Sequence, residues 1–199
     1  MASTAQPKGL VTQEAPKSVN PVEVVSKLLQ NTASPSVVRE LVSPDATYVS
    51  LAYTNANLQK ILPYANRHDG QGPDAIINTF AAVAKIWANE EFTVDTIFSG
   101  SNGAASGSFA SSGFAPSTPK AGVVDVAVFG SFTYRSRTLG KACRSPYSVW
   151  CKVDESKGQV VYMQFMEDTF GTTETFKVGG SGSYGTYKVD PETGREFDV

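Results

Sequence analysis

Two adjacent carboxylates, Glu167 and Asp168, close the segment QVVYMQFMEDTF at residues 159–170. The segment alternates in the manner of a β-strand. Met163, Phe165 and Glu167 therefore share one face, while Tyr162, Gln164, Met166 and Asp168 share the other. Only one of the two acids can face a cavity. A carboxyl held among apolar side chains keeps its proton to higher pH and can act as general acid or base near neutrality. The structural alternative for Glu167 is an ion pair with an arginine or a cap on a helix end. Asp168 precedes Thr169 and a short helical pattern over 171–177, which favours a capping or turn role.

Few other groups carry chemistry. His68, the only histidine, stands beside Arg67, Asp69 and Gly70. There it reads either as a proton shuttle at a cavity mouth or as an exposed loop residue. Tyr48 and Ser50 fall on one face of a strand, and Tyr147, Val149 and Cys151 on one face of another. A tyrosine hydroxyl inside an apolar cavity can orient a carbonyl or polarise an oxyanion. Met163, Phe165 and Trp87 would supply apolar walls, although aromatic residues on strands are more often plain core or interface residues. Asp69 and Asp74 read as charges favouring a helix N-terminus, and Arg135, Arg137 and Arg144 as solvated strand-end charges.

With a single histidine and no CxxC pair, no metal site of ordinary type is expected, and the chemistry considered needs no cofactor. Cys143 and Cys151 lie eight positions apart in one predicted strand. At about 3.3 Å per residue that separates them by roughly 26 Å, too far for a disulfide.

The elements that must position these groups begin near Asn20. Asn20 as cap, Pro21 in the first turn and Glu23 form a capping-box-like start, followed by the stripe Val22, Val25, Leu28 and Leu29. A second short helix after Ser34 and Pro35 carries Val37, Val38, Leu41 and Val42, with Pro44 as its stop. Tyr48–Tyr53 reads as a first strand. Residues 54–71 read as a polar loop or lid with one helical turn at Leu58, Ile61 and Leu62. A long helix is predicted over 72–89 from Ile76, Ile77, Phe80, Val83, Ala84 and Trp87. Strands follow around Phe92–Phe98, Val124–Tyr134, Ala142–Val153 and Gln159–Thr169, the last two joined by the turn at 154–158. Helices first, then a run of long antiparallel strands, give an α+β layout with a curved sheet wrapped around helices.

One domain over 20–177 is expected from 199 residues, 41% hydrophobic and 18% charged. Residues 1–19 are expected to form a disordered tail, 99–121 a Gly/Ser-rich insertion, and 178–199 a flexible tail. A net charge of −2 with no basic cluster argues against nucleic acid. No apolar run reaches the roughly 18 residues of a membrane span, and the N-terminus lacks the core of a secretory signal. A cytoplasmic location without membrane association is the resulting expectation.

Three segments, LVSPDATYVS at 41–50, RHDGQGPDAIINTF at 67–80 and SPYSVWCKVDESKGQVVYMQFMEDTF at 145–170, resemble the nuclear transport factor 2-like superfamily in their order and spacing. The resemblance is to its SnoaL-like and ketosteroid isomerase-like branch and covers about residues 20–177. It implies a conical α+β barrel of the cystatin-like kind, a deep apolar cavity between sheet and helices, and a homodimer packed through the sheet. The isomerase constellation is not carried over. The position of its catalytic aspartate matches about Ser50, its second aspartate falls near Val149, and its helix-one tyrosine near Ser26 or Lys27. SnoaL-like cyclases place an acid near the end of the last strand, where Glu167 stands. The ungapped match puts Glu167 on the cavity face, with Met163 and Phe165 lowering its solvation.

The function implied is proton transfer on a small apolar carbonyl compound, of cyclase or isomerase type. Glu167 would be the base, and His68, Tyr147 or Ser50 orienting groups. Fold does not choose among the members of a superfamily. A non-catalytic ligand-binding or adaptor protein is the alternative, and dehydratase chemistry a weaker one because such sites are histidine-rich.

Overall fold

The computed structural model describes residues 19–101, 122–178 and 183–184. Residues 1–18 of the expected N-terminal tail, most of the 99–121 insertion and most of the 178–199 tail lie outside the described residues.

The described residues begin with two helices, the first capped by Asn20 as expected and the second without a side-chain cap bond from Ser34. The Asn20 side chain accepts from the Val22 N–H, and α1 (Pro21–Gln30) buries Val24, Val25, Leu28 and Leu29. A second helix, α2 (Pro35–Leu41), buries Val38 and Leu41. Pro44 does not stop it. The helix ends at Leu41, and β1 (Val42–Ser50) takes in Pro44 at an irregularity between Val42 and Thr47. A proline without an N–H is tolerated there because β1 has its second neighbour only at residues 48–50. The first strand therefore starts six residues earlier than Tyr48, and it stops at Ser50 rather than Tyr53.

The segment read as a loop contains two elements. α3 (Ala56–Ile61) is the helical turn, capped by the Asn55 side chain, and β2 (Asn66–His68) pairs antiparallel with the end of β1. Three residues with mixed burial carry too little periodicity to announce a strand. The long helix α4 (Gly72–Ile86) buries Ala75, Ile76 and Thr79, and it yields to β3 (Trp87–Ser101) three residues before the expected end at Asn89. At its start Gly72 has φ +57°, and a Cβ there would fall on the carbonyls of Ser43 and Pro44. Only glycine lets α4 come this close to β1.

The remaining strands, β4 (Val123–Ser136), β5 (Ala142–Asp154) and β6 (Gln159–Glu167), follow as antiparallel neighbours. They are closed off by the short α5 (Thr169–Glu174) and by a two-residue pair of β7 (Lys177–Val178) with β8 (Ser183–Tyr184). The main sheet has the order β2-β1-β6-β5-β4-β3, in which only β1 and β6 run parallel. This is a mixed α+β architecture with a curved, unclosed six-stranded sheet. Its core joins the helices to one sheet face through Val25, Leu28, Val38, Ile76, Val128, Phe132, Val149, Met163 and Phe176. Among the described residues no helix is long and apolar enough to cross a membrane.

Close approach within the sheet is set by Gly130 on β4. A Cβ there would strike the Thr93 carbonyl oxygen and the Tyr147 ring. Gly130→Ala is expected to lose about 1–3 kcal/mol of stability through overpacking, read from urea unfolding. Unchanged stability would show that β3 and β4 have room to part.

Candidate functional site

Strand alternation along β6 carries Phe165 and Glu167 to the inner face, where they line a small cavity with Tyr48, Ser50, Leu51, Tyr64, Thr79, Phe80, Val83 and Tyr134. The cavity measures about 20 Å³, room for about one water. β1 contributes Tyr48 and Ser50 because it lies parallel to β6, with Tyr48 opposite Met163 and Ser50 opposite Phe165. Leu51 reaches the cavity from a left-handed backbone at φ +62°, held by its N–H bond to the Phe165 carbonyl at 2.9 Å. Such a conformation is unfavourable for a leucine and persists where its surroundings hold it.

The carboxyl of Glu167 accepts a hydrogen bond from the Thr172 hydroxyl to Oε1 at 2.9 Å. Among the described residues no lysine, arginine or histidine forms an ion pair with it. Burial pushes its pKa up to about 7, against a smaller downward pull from Thr172, and the neighbouring Asp168 charge adds a further push upward. The same burial, with the Glu167 charge as a further contribution, raises Tyr48, Tyr64 and Tyr134 above the ordinary tyrosine range. At neutral pH the carboxyl can thus gain or lose a proton, while the three phenols stay protonated donors. Asp168 serves the helix instead, because its side chain accepts from the Gly171 N–H at 3.0 Å and caps α5.

A larger cavity of about 660 Å³ adjoins this one. Its wall is mainly apolar, with Leu29, Phe80, Val83, Ala84, Trp87 and Phe92. Phe80, Val83 and Tyr134 line both cavities and form their shared boundary. The size and lining suit a small organic ligand. Arg137 sits at this cavity too, its Nε donating to the Ala84 and Trp87 carbonyls at 3.1 and 2.9 Å and so binding the β4–β5 turn to the end of α4.

The residues singled out from sequence distribute unevenly. Glu167, Ser50, Tyr48 and Phe165 line the inner cavity, and Trp87 lines the outer one. Trp87 is buried and donates from Nε1 to the Tyr64 hydroxyl at 3.2 Å. Tyr147, Val149 and Met163 are buried but line neither cavity. The Tyr147 hydroxyl is taken by the Thr93 carbonyl at 2.9 Å, and its ring stacks on Phe92 and Phe165. It is held in the core instead of presenting a free donor. His68 also lines neither cavity. On β2 it sits opposite Tyr48, the two rings stack at 6.1 Å, and its buried Nε2 has no hydrogen-bond partner among the described residues. Asp69 pairs with Arg67 at 2.8 Å, whereas Asp74 in the first turn of α4 pairs with Arg39 at 2.8 Å.

Sequence reasoning missed Tyr64, Tyr134 and Thr172. Tyr134 carries a signal, because it alternates with Phe132 on β4. Tyr64 carries none, since it follows Pro63 in a segment without periodicity. Thr172 is one of several polar residues in a short helix. Among the described residues no group of three histidine, cysteine or acidic side chains is placed to hold a metal ion.

No family model matches the chain. Among solved structures it resembles a nuclear transport factor 2-like protein from Burkholderia thailandensis, with TM-score 0.55, 16% identity, and 79% of this chain and 98% of that one covered. It also resembles a protein from Jannaschia described as a SnoaL-like polyketide cyclase, with TM-score 0.51, 14% identity, and 82% and 96% covered. Identities this low establish the fold and nothing finer. Sequence likeness is greater to two fungal proteins. Patulin synthesis protein F of Aspergillus clavatus is 37% identical over 177 residues, 88% of this chain and 77% of that one. Patulin biosynthesis cluster protein F of Penicillium expansum is 35% identical over 176 residues, 87% and 76% of the two. Such identity along most of both lengths means that the chain belongs to the family of patulin synthesis protein F, on a nuclear transport factor 2-like fold.

Proposed function

We propose that the protein is a small-molecule enzyme that moves a proton next to a carbonyl group, with Glu167 as the acid/base residue. The observation that carries this reading is the Glu167 carboxyl itself. It is half-buried and pairs with no cation among the described residues, desolvation holds its pKa up at about 7, and it lines an inner cavity that shares Phe80, Val83 and Tyr134 with a mainly apolar cavity of about 660 Å³. A general base works best when its pKa lies near the working pH. The substrate class that suits the walls is an apolar carbonyl compound, a ketone or lactone of polyketide type. Its ring would rest on Trp87 and Phe92, and its carbonyl end would point toward Tyr134. The phenol at that boundary, kept protonated by its raised pKa, would donate to the oxygen that gains charge as the proton leaves. The fungal relatives are named for patulin synthesis, which supports small-molecule chemistry over an adaptor role.

A panel of ketones and lactones incubated with the protein in deuterated water tests this. Proton NMR should show protein-dependent loss of signal α to the carbonyl for at least one compound that also raises the melting temperature, because a ligand of the native state stabilises it. Binding without exchange or turnover would favour the non-catalytic ligand-binding alternative.

A further inference from the structure

We propose that Thr172 is the positioning residue of the Glu167 carboxyl, a hydroxyl that reverses its hydrogen bond as Glu167 loses and regains a proton. The acid/base role in turnover rests on the function proposed above, but the reversal itself does not.

The Thr172 Oγ1 has three acceptors within reach: Glu167 Oε1 at 2.9 Å, the Thr169 carbonyl at 3.1 Å and the Asp168 carbonyl at 3.2 Å. A hydroxyl has one hydrogen to give and lone pairs to receive, so it can serve one of the three at a time. When Glu167 is ionised, the charge-assisted bond to the carboxylate is the strongest of the choices. When Glu167 is protonated, its O–H donates to Oγ1 and the Thr172 hydrogen turns to a backbone carbonyl of the same helical turn. Both protonation states are then hydrogen-bonded, with no movement beyond rotation of one hydroxyl. An N–H group or an arginine in that place could donate to either form but could not accept the O–H of the protonated acid.

The position of this hydroxyl is fixed from several sides. Thr172 is fully buried, and its N–H donates to the Asp168 carbonyl at 3.0 Å. The Asp168 N–H in turn binds the Ser145 hydroxyl of β5 at 2.9 Å, and the Asp168 side chain caps the helix at Gly171. The first turn of α5 is thereby fastened to β5, the neighbour of the strand that carries the acid. Other titratable groups acting with Glu167 are Tyr48 from β1, Tyr64 from the segment after α3, Tyr134 from β4, Cys143 from β5 and Asp168 itself. Burial raises the three phenols and the thiol, so near pH 7 Asp168 is the one that adds charge. The cavity wall from α4, made by Thr79, Phe80 and Val83, brings none.

Carbon-13 NMR titration of the Glu167 carboxyl in the full chain tests the proposal without any substrate. Thr172→Val keeps the shape and removes the hydroxyl from both forms; because the charge-assisted bond to the carboxylate is the stronger of the two lost, the midpoint should rise by about one pH unit, a tenfold change in the protonation constant. Thr172→Ser keeps the hydroxyl and should return the midpoint to that of the parent. If Thr172→Val does not fold, Thr172→Ala carries the same comparison. An unchanged midpoint in the folded valine or alanine variant would overturn the proposal, as would an equal rise in Thr172→Ser, which would mark a packing effect. A protein without turnover but with the expected titration would sink the proposed function and leave the hydroxyl reversal standing.

Discussion

Glu167→Gln is expected to lower turnover of an accepted carbonyl substrate by about 10²- to 10⁴-fold, the contribution typical of a positioned general base. Ligand affinity should change little. Glutamine fills the same volume, and its amide oxygen can still accept from the Thr172 hydroxyl now bound by Glu167 Oε1. What it cannot do is take a proton. The pH profile of the parent protein should carry the same group. Its pKa of about 7 means that the carboxylate, the form that abstracts a proton, becomes dominant as pH rises through 7. The ratio kcat/KM should therefore climb between about pH 6 and pH 8 and level off above, because this ratio reports groups of the free protein. Turnover by Glu167→Gln equal to that of the parent would remove Glu167 from the reaction. A fall in affinity equal to the fall in turnover would recast it as a ligand-binding group.

The parts of this site legible in the sequence are those governed by strand period. Glu167 and Phe165 share a face because side chains alternate along β6, and Tyr48 with Ser50 follow by the same rule on β1. The rule also separates Asp168 from Glu167. Tyr147 obeys it as well, yet period two says only which face a residue takes and not what its hydroxyl meets. The Thr93 carbonyl takes it because Gly130 lets β3, β4 and the Tyr147 ring come close, a tertiary fact with no local trace. Tyr64 is illegible for a related reason, since its place depends on the Trp87 indole that donates to it from the far end of α4. His68 reads from sequence either as a proton shuttle at a cavity mouth or as an exposed loop residue, and its place on β2 is not legible because three residues pairing with β1 are too few to show a period. The cavity volumes depend on how Phe80, Val83 and Tyr134 pack between helix and sheet, and composition holds no record of that.

Glu167→Gln should also make the protein more stable above neutral pH, the reverse of its effect on turnover. The folded carboxyl has a pKa of about 7 against an ordinary value of 4.5. Below about pH 4.5 both folded and unfolded chains hold the proton, and the neutral buried acid is no burden. Between about 4.5 and 7 the unfolded chain releases the proton while the folded one retains it. The unfolded state then binds fewer protons, and stability must fall as pH rises, by up to about 1.4 kcal/mol per pH unit. The full span would amount to about 3 kcal/mol, which partial exposure of Glu167 reduces to about 2 kcal/mol. Glutamine does not titrate, so urea unfolding of parent and variant should give similar free energies near pH 4.5 and diverge toward pH 8 in favour of the variant. Taking the difference between the two proteins cancels every other titrating group. A parent that gains on the variant as pH rises would mean that the carboxyl is stabilised in its ionised form, and the pocket would then be no place for a base of pKa near 7. With the expected sign, Glu167 is an acid held where it weakens the fold at working pH, and a position that opposes stability in this way is best explained by what the carboxyl does to a ligand.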